Sequence, residues 1–134
     1  QRAWATISRN KEGIKPHQHR QSHISFAYYL KKDQNSGRIT FHNDNPRNEI
    51  APGMFASLTL KKIVIPNTHN ASSVTIDTAV DDIIIFPSKT LHSVFPAIIT
   101  TKDRISISAD VSVIAKNSEN IESLLTPIDK WMKF

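Results

Sequence analysis

The chain has 134 residues, 39% of them hydrophobic and 22% charged, with no cysteine. That length suits one domain spanning residues 1–134 that buries a core without staples. The cysteine count excludes disulfide scaffolds, thiol nucleophiles, zinc–cysteine modules and iron–sulfur clusters, and is compatible with a reducing, cytoplasmic setting. Uninterrupted apolar runs such as Ile83 to Phe86 fall far short of the roughly 20 residues of a membrane-spanning helix, so no membrane partner is expected. Gln1 is not an initiator and no leader follows it, which reads as a processed or trimmed chain lacking N-terminal elements. The net charge of +5 is uneven. Residues 1–40 carry eight Lys/Arg against Glu12 and Asp33, a net +6, and the remainder is at −1. This field favours acidic ligands, but the basic residues are scattered and lack aromatic spacing, which leaves nucleic acid a weak candidate partner.

In chain order, short alternating runs rich in β-branched and aromatic residues are broken by Pro, Gly, Asn and Asp, the pattern of a mostly β protein. Strands are expected at Trp4–Ser8, Ser22–Leu30, Arg38–His42, Phe55–Ile65, Ser73–Asp77, Asp82–Phe86, Thr90–Phe95 and Arg104–Val113. In the second of these, Ile24, Phe26, Tyr28 and Leu30 share one face and Ser25, Ala27 and Tyr29 the other. The bulky face is the expected core, which places Tyr28 inside. The turn signal Lys32-Asp33-Gln34-Asn35-Ser36-Gly37 predicts a hairpin joining Ser22–Leu30 to Arg38–His42. In the last strand Ile105, Ile107, Ala109, Val111 and Val113 alternate with Arg104, Ser106, Ser108, Asp110 and Ser112, one side apolar and the other mostly hydroxylic. The apolar side needs a cover. Only the tail reads as helical: Ser118 caps a short C-terminal helix through Leu125, Pro127 opens a second turn, and Trp131 and Phe134 are apolar anchors. Seven or eight short strands with irregular connections and no repeat predict a jelly roll or barrel.

Three features carry candidate chemistry: His17-Gln18-His19, His92 after Phe86-Pro87-Ser88, and Arg104-Ile105-Ser106. Two histidines at i and i+2 of an extended segment point the same way and can grip one metal. Each feature alone reads more readily as a solvated polar segment, a satisfied histidine or an edge arginine. His23, His42 and His69 have no partner at metal-ligand spacing. Gly13, Gly37 and Gly53 are the only glycines, so no phosphate loop exists, and no serine sits in a nucleophile elbow.

Taken together, the parts bring a family to view. His17-Gln18-His19, then Ala27-Tyr28-Tyr29-Leu30 and Ser36-Gly37, then Asp82-Ile83-Ile84-Ile85-Phe86-Pro87-Ser88, His92-Ser93-Val94 and Arg104-Ile105-Ser106-Ile107-Ser108, resemble the iron(II)- and 2-oxoglutarate-dependent oxygenases, particularly their prolyl-hydroxylase-like branch. The resemblance covers residues 16–42 and 80–113. It implies a double-stranded β-helix, also called a jelly roll and cupin-like, and a reaction coupling oxidative decarboxylation of 2-oxoglutarate to hydroxylation by dioxygen. It also implies that His17 and His92 are Fe(II) ligands, that Arg104 and Tyr29 hold the distal carboxylate of 2-oxoglutarate, and that Ser106 assists. Guanidinium–carboxylate complementarity supports the arginine role independently. Tyr29 suits it better than Tyr28, because its small neighbours Ser25 and Ala27 leave room for a ligand.

One departure stands out: His19 occupies the place where the family's triad has Asp or Glu. A three-histidine set of His17, His19 and His92 is then expected, one unit more positive than the usual site. Similar uncharacterised bacterial and phage proteins carry histidine there, with Ser-x-x-Ser and Tyr-x-Leu-type patterns matched here by Ser22, Ser25 and Tyr28-Tyr29-Leu30. The competing reading is an altered site with an outside carboxylate such as Asp44 swinging in. The family suggests a peptidyl or amino-acid side chain as second substrate, selected by residues within 43–79. Two rivals stand beside this reading: a three-histidine cupin with other metal chemistry, and a non-catalytic β-sandwich binding module.

Overall fold

The computed structural model describes residues 2–43, 50–51, 53–67, 69–97 and 102–113. Among the described residues, eight strands form two antiparallel four-stranded sheets. One has the order β1 (Arg2–Ser8), β8 (Arg104–Val111), β3 (Ile24–Lys31), β6 (Ile83–Pro87). The other has the order β2 (Ile14–His17), β7 (His92–Val94), β4 (Ile39–His42), β5 (Ser73–Ile76). The pairs β1·β8, β2·β7, β3·β6 and β4·β5 make one long antiparallel double ribbon, and the contacts β3·β8 and β4·β7 roll that ribbon into two facing sheets. This is the expected jelly roll. It places the first and last strands side by side, so residues some hundred positions apart in sequence share a face.

Three local expectations are corrected. The turn at 33–36 forms, with Asp33 accepting at its main-chain oxygen from Ser36 N (3.1 Å) and at its carboxylate from Asn35 N (3.0 Å). It does not close a hairpin, because β3 and β4 belong to different sheets. The chain is steered across by Gly37, where a Cβ would lie 2.2 Å from Phe95 O. Gly37→Ala is therefore expected to cost about 1–3 kcal/mol, read as a lower urea midpoint; an unchanged midpoint would show that the crossing is not tight there.

The segment expected as a strand at Phe55–Ile65 begins instead as helix α1 (Met54–Leu60). Met54, Ala56, Leu58 and Leu60 are strong helix formers, and a helix satisfies its own backbone where no ladder is offered. It ends at Lys62, which takes a left-handed φ of 57° while Ile63 N bonds Leu58 O at 2.9 Å. The C-terminal helix expected after Ser118 lies outside the described residues.

The third correction concerns which face is inside. On β3 the small face is buried: Tyr29 is fully enclosed, whereas Tyr28 lies on the outer face and donates from Oη to Asp81 Oδ1 at 2.6 Å. That bond and the nearby carboxylate push the Tyr28 phenol up. On β8 the polar side is likewise inward, with Arg104, Ser106 and Asp110 buried. The outer face keeps Ile7, Ile24, Ile83 and Ile85 exposed. Among the described residues, seven apolar side chains are buried against eleven polar or charged ones. So polar an interior is tolerated only where its groups are bonded to one another or wait for a ligand.

Candidate metal and anion site

His17 and His92 are register partners at the ends of β2 and β7. Pro16 is accommodated because β2 is an edge strand, and the ladder is irregular between Ile14 and His17, a device that re-aims a side chain. His19 lies just beyond β2, its backbone N held by Ser88 O at 2.9 Å. The three rings converge, with centroid separations of 4.3 Å for His17–His92 and 5.2 Å for His19 to each of the others. One ring nitrogen from each lies within 4.8 Å of the other two, a group that could hold one metal ion.

The outward-facing nitrogens are all accounted for. His17 Nδ1 donates to Lys15 O (2.9 Å) and His92 Nδ1 to Thr90 O (2.9 Å). Carbonyl oxygens only accept, so in a neutral ring each Nδ1 carries the proton and each Nε2 its lone pair. His19 Nδ1 faces Asp110 Oδ1 at 2.5 Å. Burial, reinforced by the two neighbouring histidines, lowers the His92 pKa despite the Thr90 bond. A neutral ring is the form a metal needs.

Asp110 is a site residue that sequence reasoning missed; its one visible signal was its place on the polar side of β8. Its Oδ1 accepts from Ser25 Oγ (2.6 Å) as well as from His19, and its Oδ2 accepts from Arg2 Nε (2.8 Å). Burial pushes this carboxyl up, but the bonds from Ser25, His19 and Arg2 outweigh that and hold its pKa below the usual range. Asp44, the carboxylate named in the competing reading, lies outside the described residues.

Along the inner face of β8, Asp110 and the histidines stand toward one end and Arg104 at the other, with Ser106 and Ser108 between. One cavity is lined by His17, His19, His92, Tyr29, Arg104 and Ser106. Arg104 is only 3% exposed, its Cζ 5.1 Å from the Tyr29 ring centroid, yet Arg104 Nε and Nη1 and Tyr29 Oη are buried with no hydrogen-bond partner. Lys32, read in the sequence as part of a turn, adds a second enclosed cation near the Tyr29 ring: its Nζ lies 5.8 Å from the ring centroid and bonds Thr78 O and Oγ1. Burial lowers its pKa, and Arg104 lowers it further against the opposing pull of Asp77. A more open depression beside the histidines is lined by Arg2, Trp4, Gln18 and Arg20, all outside the expected 43–79 segment. Of the other histidines, His42 bonds Ser93 Oγ (2.8 Å), His23 accepts from Val113 N (3.0 Å), and His69 is exposed.

Fold and cluster together define a class: a jelly-roll protein whose interior offers three imidazole nitrogens to a metal, beside a buried guanidinium. The family model described as "Putative 2OG-Fe(II) oxygenase" matches residues 2–110, and the chain belongs to that family of 2-oxoglutarate and Fe(II) oxygenases. No curated protein gives a significant match. Among the described residues no helix is long and apolar enough to cross a membrane.

Proposed function

We propose that the chain is an Fe(II)- and 2-oxoglutarate-dependent dioxygenase that hydroxylates a second substrate, a peptidyl or amino-acid side chain. In this reading His17, His19 and His92 hold the metal. Arg104 and Tyr29 hold the distal carboxylate of 2-oxoglutarate, and Ser106 lines the path between. The observation that carries it is the pair of orphaned donor groups: Arg104 Nε and Nη1 and Tyr29 Oη are buried and unpaired. Leaving buried donors, and above all a buried charge, without partners is expensive. A carboxylate offers a guanidinium two parallel charge-assisted bonds, and the cavity joins these donors to the histidines.

Bound Fe(II) would supply the redox chemistry that couples decarboxylation of the keto acid to activation of dioxygen. The chain's own part is positional. Arg104 and Tyr29 fix one end of the acid, which holds its keto end toward the histidines and lowers the entropic part of the barrier. The enclosing walls, with Phe86 and Val94 among them, limit water around the reacting groups. A three-histidine cupin with other chemistry has no use for the buried Arg104. Release of labelled carbon dioxide from 2-oxoglutarate carrying the label at C1 tests the reading. Release is expected to require both the protein and Fe(II); release no faster than with free Fe(II) at any substrate tried would reject it.

A further inference from the structure

We infer that Asp110 is a positioning residue for the candidate metal site, holding His19 in the tautomer and orientation that turn its Nε2 toward His17 and His92. The inference rests on the three-histidine reading proposed above. Its basis is an asymmetry among the rings. His17 and His92 sit on strands, and each is oriented by the carbonyl two residues before it, Lys15 O and Thr90 O. His19 lies past the end of β2, where no ladder sets its direction, and its ring is held by a carboxylate 91 positions away.

That carboxylate is itself fixed. Asp110 is 3% exposed on a central strand, Arg2 occupies its Oδ2, and Ser25 shares its Oδ1 while lying 2.8 Å from Ser88 Oγ. Ser88 also holds the His19 backbone, so the loop is pinned at main chain and ring from the same side. An ionised carboxylate can only accept, which in the neutral ring keeps the proton on Nδ1 and the lone pair on Nε2. It also makes the ring a stronger donor to a metal than a carbonyl partner would. A negative charge thus stands one hydrogen bond behind a neutral ligand.

The test is a cycle of variants read by Co(II) binding, with a chelator competing for the ion and circular dichroism reporting the fold. Asp110→Ala is expected to bind Co(II) about 10- to 100-fold more weakly than the wild type. Asp110→Asn, which keeps an oxygen for Nδ1 without the charge, is expected between them, and it carries the comparison should the alanine variant fail to fold. In a His19→Ala background, where the carboxylate has no ring to hold, Asp110→Ala should add no further loss. The visible Co(II) bands of Asp110→Ala should move toward those of His19→Ala. Equal affinity of Asp110→Ala and wild type, or an undiminished second loss in the His19→Ala background, would overturn the inference. A wild type that takes no Co(II) would instead overturn the three-histidine reading beneath it.

Discussion

Arg104→Ala is expected to weaken 2-oxoglutarate binding to the Fe(II)-loaded chain by roughly 10²- to 10³-fold, the consequence of leaving a carboxylate in a closed cavity without its cation, about 3–4 kcal/mol. The unliganded protein should respond in the opposite sense. Its guanidinium is buried with Nε and Nη1 unpaired, so removing it relieves a desolvated charge, and the urea midpoint of the variant should be no lower than that of the wild type. Arg104→Lys should restore only part of the affinity, because an ammonium keeps the charge but loses the planar fork. Tyr29→Phe removes one bond to a charged group, about 1.5–3 kcal/mol, and should weaken the acid by roughly tenfold or more. Titration calorimetry under anaerobic conditions reads all three. Wild-type affinity in Arg104→Ala would mean that the acid, if bound, lies elsewhere.

The second large effect concerns the metal. His17→Ala/His92→Ala removes two of the three nitrogens that lie within reach of one ion and should take iron content after anaerobic reconstitution from near one per chain to background. The two positions are not structurally equal. His92 is buried on an inner strand with its ring 4.8 Å from that of Phe86, whereas His17 ends an edge strand and is half-buried. The His92 change should therefore lower stability through the space it vacates, and the His17 change little. Circular dichroism of the double variant separates loss of the site from loss of the fold. Equal iron in the folded double variant and the wild type would remove the histidines from the account.

Much of the architecture is legible in the sequence because alternation is a local signal. The runs at Trp4–Ser8, Ser22–Leu30 and Arg104–Val113 announce strands wherever their partners lie. The alternation in β3 and β8 defines two faces without saying which is inside, and the usual assumption that the bulky face is buried fails in both. The interior of this roll takes in buried polar and charged side chains, so Tyr29, Ser106 and Asp110 point in while Tyr28 and Ile105 point out. The turn after β3 is equally local, but its consequence depends on how closely Gly37 passes Phe95, a contact 58 residues away that the dipeptide Ser36-Gly37 does not encode.

The candidate site divides along the same line. His17, His19, His92 and Arg104 are readable because their spacing follows a family pattern, and the structure brings the three histidines together around one cavity that also takes in Arg104. Asp110 and Lys32 carry no such spacing. Their significance comes from pairings between β1, β3 and β8, and from a lysine that folds back beneath Tyr29. At the departure, His19, geometry adds what spacing does not show: among the described residues a carboxylate, Asp110, reaches this ring from β8 and touches its Nδ1.

The most direct measurement is a titration of 2-oxoglutarate into the anaerobic Fe(II) protein, followed in the visible range. The account predicts a weak charge-transfer band of the kind a 2-keto acid gives when it chelates Fe(II), saturating at one acid per chain and absent from Arg104→Ala at the same concentrations. Iron bound without any such band would contradict the assignment of the cavity to 2-oxoglutarate, and a protein that binds no iron would contradict the metal site itself.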